Sequence, residues 1–220
     1  MNQELHHRLR EEDLAFFGRI GADVSHDVRN VLSIIGEYAG LLDDLLGLSE
    51  NGRPPDYAKL RGISANISRQ VREGTEFMGR FSRFAHAADE PAASFDLTEL
   101  TGNVAALARR HVTLAGCTLE VELPDGAIPV SANPFRLQHA VFSVIQLILE
   151  FLEKGKVATI RLVAHGPAAV ISVSGNATTG CGELSGRIVH LAAVMNELKG
   201  NVEPSWTDGV LALNLSIPIR

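Results

Sequence analysis

The feature that most constrains this chain is an apolar stripe too long for a single hairpin to bury. Helical periodicity runs unbroken from about residue 3 to 47. Within it Leu14, Phe17, Gly21, Val24, Val28, Val31, Ile35, Tyr38, Leu42 and Leu45 follow one another at steps of three and four. All but Gly21 are apolar or aromatic, which is the seam of a bundle helix. At about 1.5 Å per residue such a helix is roughly 65 Å long. The cluster Glu50-Asn51-Gly52-Arg53-Pro54-Pro55 ends it, glycine supplying turn geometry and the prolines refusing further helix. A second helix, about 57 to 86, carries Leu60, Ile63, Ile67, Val71, Phe77, Met78, Phe81 and Phe84 on a broader stripe. Two such helices leave apolar surface in water. A second copy of the hairpin would cover it, so the expectation is a homodimeric four-helix bundle. Cover from the rest of the chain is the alternative.

The chain changes character near residue 90, and residues 94–220 read as a compact α/β domain after a helical hairpin at 1–88. The fold class is therefore α+β: a long hairpin forming a dimeric four-helix bundle, followed by a two-layer α/β sandwich. Asp96 is a candidate N-cap for a helix over 97–115, and Asn133 with Pro134 opens another over about 134–154. Strands are expected at 117–123 and 128–131, and a hairpin at 158–164 and 168–174 turns on His165-Gly166-Pro167. Residues 175–186 are glycine-rich and irregular. A helix over 187–198 stops at Lys199-Gly200, and strands at about 201–205 and 210–218 flank the turn Thr207-Asp208-Gly209.

Composition narrows the function classes. The net charge of -6 argues against a nucleic-acid partner. Cys117 and Cys181 form no CxxC pair, so neither a disulfide framework nor a zinc site is expected. The longest apolar run, 140–152, is interrupted by Ser143, Gln146 and Glu150, so no membrane span is expected. The polar start reads as a cytoplasmic protein without a signal peptide.

With Val28 at heptad position a, His26 falls at f, pointing away from the seam. Its neighbours on the helix surface are Ala22, Asp23, Arg29 and Asn30. Asp27 is placed to accept the Nδ1 proton, fixing the tautomer in which Nε2 is the nucleophile. Asn30 offers an amide one turn away, suited to orienting a water or a phosphoryl oxygen. Small Ala22 and Ser33 leave a partner room to approach, and Arg29 is a further candidate beside the imidazole. On spacing alone, a solvated surface histidine is the competing reading. The other histidines, His6, His7, His86, His111, His139, His165 and His190, show no metal-ligand spacing. Asp43-Asp44 and the basic set Arg69, Arg72, Arg80 and Arg83 read as solvated faces.

The segment Ser25-His26-Asp27-Val28-Arg29-Asn30-Val31-Leu32-Ser33-Ile34-Ile35 resembles the H-box of two-component histidine kinases. That pattern is a histidine, an acidic residue, any residue, a basic residue, Asn or Thr, then usually proline, here Val31. The resemblance implies a dimerisation and phosphoacceptor hairpin followed by a kinase-type ATP-binding domain. It makes His26 the phosphoacceptor, Asp27 its acid–base partner and Asn30 the residue linked to dephosphorylation.

The second domain keeps the frame of that family and departs from its chemistry. The stretch Ala132-Asn133-Pro134-Phe135-Arg136-Leu137-Gln138 resembles the lead into the asparagine-bearing helix. Ser143 and Leu147 stand where the family has asparagines, the second of them a magnesium ligand. Leucine offers no oxygen to a hard cation. In Ile171-Ser172-Val173-Ser174-Gly175-Asn176-Ala177 the adenine-reading Asp-x-Gly becomes Gly175 and Ala177. Gly180, Gly182 and Gly186 lack the spacing of a nucleotide lid. A kept phosphoacceptor box beside altered nucleotide positions resembles the ChpT-type histidine phosphotransferases. That resemblance implies phosphoryl transfer between receiver-domain aspartates through His26, with no ATP bound and magnesium supplied by the receiver. Two alternatives stand beside it: a non-catalytic pseudokinase module that binds a receiver or a kinase, and an active kinase with a divergent nucleotide site.

Overall fold

The computed structural model describes residues 2–50, 54, 56–89, 91–177, 184 and 187–219. The turn expected over 50–55 and the glycines Gly180, Gly182 and Gly186 fall largely outside them. Among the described residues no helix is long and apolar enough to cross a membrane. The chain divides into two compact units, Phe17–Arg83 and Met1–Phe16 together with Phe84–Arg220.

The first unit is the hairpin of helices α1 (Asn2–Glu50) and α2 (Tyr57–His86). Its close approach is made by a glycine: a β-carbon on Gly74 of α2 would lie 3.0 Å from Val31 Cγ1 of α1. Most of the expected seam is half-buried, with Val24 and Ile63 fully so. On α1 Leu14 is the exception, 73% exposed, while Phe16 and Ile20 are buried; on α2 Val71 and Met78 are also exposed. Residues up to Phe16 belong to the other compact unit, so the frame of the hairpin does not decide which of them is buried.

Phe16 belongs to the α/β unit. Its ring stacks on His139 with centroids 4.5 Å apart and 7° between planes, and it packs on Phe84, Phe135 and Phe142. Asp13, one turn earlier, takes a 2.9 Å hydrogen bond from His139 and lies 3.5 Å from Arg136. Glu12 pairs with His190, and Arg136 also pairs with Glu197. Thus His139 and His190, unremarkable in sequence, are fastened to carboxylates more than a hundred positions away.

The remainder of that unit is a two-layer sandwich, as expected. Strands β1 (Ala93–Asp96) and β3 (Pro129–Ala132) pair antiparallel in a small sheet. Strands β2 (Thr118–Glu122), β4 (Val157–His165), β5 (Ala168–Asn176), β6 (Asn201–Thr207) and β7 (Val210–Pro218) form a mixed sheet in the order β2-β4-β5-β7-β6, only β2–β4 being parallel. Helices α3 (Leu97–Leu114), α4 (Pro134–Phe151) and α5 (Ile188–Glu197) make the second layer. The alternation of β4, β5 and β7 turns Ile160, Leu162, Ile171, Val173, Leu213 and Leu215 inward, and α4 supplies Val141, Ile145 and Ile148 to the same core.

The local signals hold. Asp96 Oδ1 accepts from Thr98 N at 2.9 Å and also from Ile128 N at 2.9 Å, so the cap of α3 ties down the approach to β3 as well. Asn133 Oδ1 accepts from Arg136 N at 2.9 Å at the start of α4. The β6–β7 turn has positive φ at Asp208 and Gly209, the primed geometry that matches strand twist. Three readings change. Strand β1 lies over residues read as the end of a loop and the entry to α3, α4 ends at Phe151, and β5 continues through Gly175 to Asn176. The stop after α5 also works differently: positive φ falls on Lys199, and Gly200 is required because a β-carbon there would strike the Ser216 carbonyl oxygen.

Replacing Phe16 with alanine removes an aromatic ring that is 4% exposed. The expected loss is about 3–5 kcal/mol of stability, read as a lowered midpoint in denaturant unfolding.

Candidate functional site

His26 sits near the middle of α1, far from either end, so its backbone is fixed by hydrogen bonds on both sides. Buried Val24 lies two residues away. At about 100° per residue the imidazole then points off the packed face. Its side chain is 44% exposed, and that of Asp27 is 33% exposed. Asp27 Oδ1 lies 3.3 Å from His26 Nδ1, and the amide nitrogen of Asn30 lies 3.2 Å from the same Nδ1. The structure thus brings three of the expected residues together at one ring nitrogen. Asn30 stands at Nδ1, not on the Nε2 side where it would orient an incoming group. Arg29 is exposed, and the structure gives it no hydrogen bond to the imidazole. Ala22 and Ser33 are exposed on the same side.

The opposite side of the hairpin is apolar. Val28, Val31, Leu32 and Ile35 of α1 meet Val71, Gly74, Thr75 and Met78 of α2 around a groove of about 330 Å³. Leu32 is 62% exposed, Val71 50% and Met78 44%. At about 100° per residue the four α1 positions lie on the half of the helix turned away from His26.

In the α/β unit, Ser143 and Leu147 line one pocket of about 210 Å³ between α4 and α5, together with His139, Gln146, Arg187 and His190. They are one turn apart and share a face. The residues present do not fit that family's nucleotide. Leu147 has no oxygen for magnesium. Glu150, the pocket's carboxylate, is engaged by Arg187, whose pKa that hydrogen bond raises. At Gly175, a β-carbon would lie 2.7 Å from Leu152 Cδ2 and 2.9 Å from Cδ1, so the space for an adenine-reading carboxylate holds a leucine side chain. Leu152 is pinned there by a bridge to Ala177. Sequence spacing had no means of revealing this, because Leu152 and Gly175 meet only in the folded sheet. Among the described residues no cluster of His, Cys, Asp and Glu is arranged to hold a metal.

No protein-family model matches the chain. The C4-dicarboxylate transport sensor protein DctB of Rhizobium meliloti is 22% identical over 161 residues, 73% of this chain and 25% of that protein. The chain thus spans about a quarter of the length of the curated relative it matches. Among solved structures, histidine kinase AdeS of Acinetobacter baumannii superposes with a TM-score of 0.51 at 14% identity, covering 89% of this chain and 98% of that one. A histidine kinase from Burkholderia phymatum gives 0.52 at 17%, covering 86% and 98%. Histidine kinase ThkA in complex with response regulator protein TrrA gives 0.50 at 18%, covering 100% and 67%. These likenesses establish the fold, a helical hairpin followed by an α/β sandwich of the histidine kinase ATP-binding type.

The Val31–Gly74 contact generates a direct test. Gly74→Leu forces a branched side chain against Val31 and is expected to destabilise the hairpin by about 1–3 kcal/mol, measured by thermal or denaturant unfolding.

Proposed function

We propose that this chain is a histidine phosphotransferase of a two-component phosphorelay, working as a homodimer. The observation that carries the reading is the exposed imidazole of His26, with Asp27 and Asn30 gathered at Nδ1, on a hairpin of histidine kinase fold. A phosphorylated receiver docks on the His26 face. The Nε2 lone pair attacks the phosphorus of its aspartyl phosphate, an N–P bond forms, the P–O bond breaks, and the aspartate leaves as a carboxylate. The ring gains positive charge in that step, which the Asp27 carboxylate offsets. A second receiver's aspartate reverses the exchange. Both phosphorylated species are high in energy, so positioning and charge neutralisation suffice.

Response-regulator partners are supported by the structural likeness to ThkA, whose crystal contains a response regulator. Loss of ATP use is supported by Leu147 and by the leucine occupying the space beside Gly175. The dimer is supported by the groove opposite His26: a second copy seated there covers Leu32, Val71 and Met78 and leaves both imidazoles outward.

Incubation with a phosphorylated receiver is expected to give an acid-labile, base-stable label that His26→Ala lacks. No label from a panel of receivers, with equal receiver binding by wild type and His26→Ala, would replace this reading with a non-catalytic binding module. Titration with magnesium ATP is expected to show no binding, and autophosphorylation on His26 would establish a kinase instead. Leu32→Asp is expected to shift the protein from dimer to monomer in sedimentation.

A further inference from the structure

We infer that Asn30 is a positioning residue: its amide oxygen and the Asp27 carboxylate together hold the His26 proton on Nδ1, which puts the ring's lone pair on Nε2. The inference deepens the phosphotransfer reading and takes its purpose from it, but its chemistry is local and is tested separately.

Two side chains converge on one nitrogen, Asp27 Oδ1 at 3.3 Å and, as placed, the Asn30 amide nitrogen at 3.2 Å. In a neutral imidazole Nδ1 carries either a hydrogen or a lone pair. A lone pair there would face a carboxylate oxygen, lone pair against negative charge. A hydrogen there is a donor that the carboxylate accepts. Asp27 therefore selects the Nδ1–H form.

That choice decides the amide. With its NH2 group toward Nδ1–H, Asn30 would set donor against donor. A half-turn about its terminal bond brings the carbonyl oxygen to the same place, where it accepts. Asn30 is exposed, so no packing opposes the turn. The result is one proton shared by two acceptors, a three-centre bond. Helix geometry makes it possible: positions one and four residues along from His26 both reach back to the same edge of the ring. A single half-buried carboxylate at 3.3 Å competes with water for that proton. A second acceptor narrows the ring's rotation as well as its tautomer.

The experiment is nitrogen-15 NMR of the His26 ring in the full chain, at a pH where the imidazole is neutral, with Asn30→Ala and Asn30→Asp beside the wild type. Wild type is expected mostly as Nδ1–H. Asn30→Ala should move the tautomer ratio about five- to tenfold toward Nε2–H, the amount one lost hydrogen bond supplies. Asn30→Asp, which can accept but not donate, should keep the Nδ1–H form. A wild type that is mostly Nε2–H, an Asn30→Ala ratio equal to wild type, or an Asn30→Asp swing toward Nε2–H each overturns the inference. Circular dichroism confirms that these exposed-site variants stay helical. If the tautomer behaves as stated and no receiver phosphorylates the protein, the phosphotransfer reading fails and this inference stands.

Discussion

A single helical phase along α1 sets the terms for the hairpin. Advancing about 100° per residue, the helix turns Val28, Val31 and Ile35 one way and His26 the other. Because Gly74 has no side chain, the backbone of α2 comes close enough to meet Val31, and the groove between the helices opens on the apolar side. One periodicity thus separates two kinds of surface. Apolar side chains that must be covered are on one side. An ionisable ring that must meet water or a partner is on the other.

What could be read before folding was what neighbours in sequence decide. The caps at Asp96 and Asn133, the two tight hairpin turns and the alternation of β4, β5 and β7 are each enforced within a few residues, and each is found in place. The placement of His26, Asp27 and Asn30 on one stretch of helix surface was legible for the same reason. Leu14 departs from the seam because the seven-residue frame of the hairpin does not extend to residues up to Phe16, which belong to the other compact unit. Strand β1 was missed because four residues beside a linker form a strand only when β3 arrives to pair with them. The seating of Asp13 on His139 joins residues 126 positions apart, and no local pattern announces it.

The α/β unit has the architecture of the histidine kinase ATP-binding domain. Ser143 and Leu147 of α4 face one pocket in it. Around that pocket, side chains are engaged with one another: Arg187 with Glu150, His139 with Asp13, His190 with Glu12. The pocket's charges are largely balanced from within the unit.

Leu152 and Gly175 tie two distant positions of the chain to one another. An acidic side chain introduced at 175 meets a hydrocarbon already in its place. Shrinking the leucine first opens a void in a packed sheet with nothing yet to fill it. Either change alone costs packing, so the two positions are free to vary together and not one at a time.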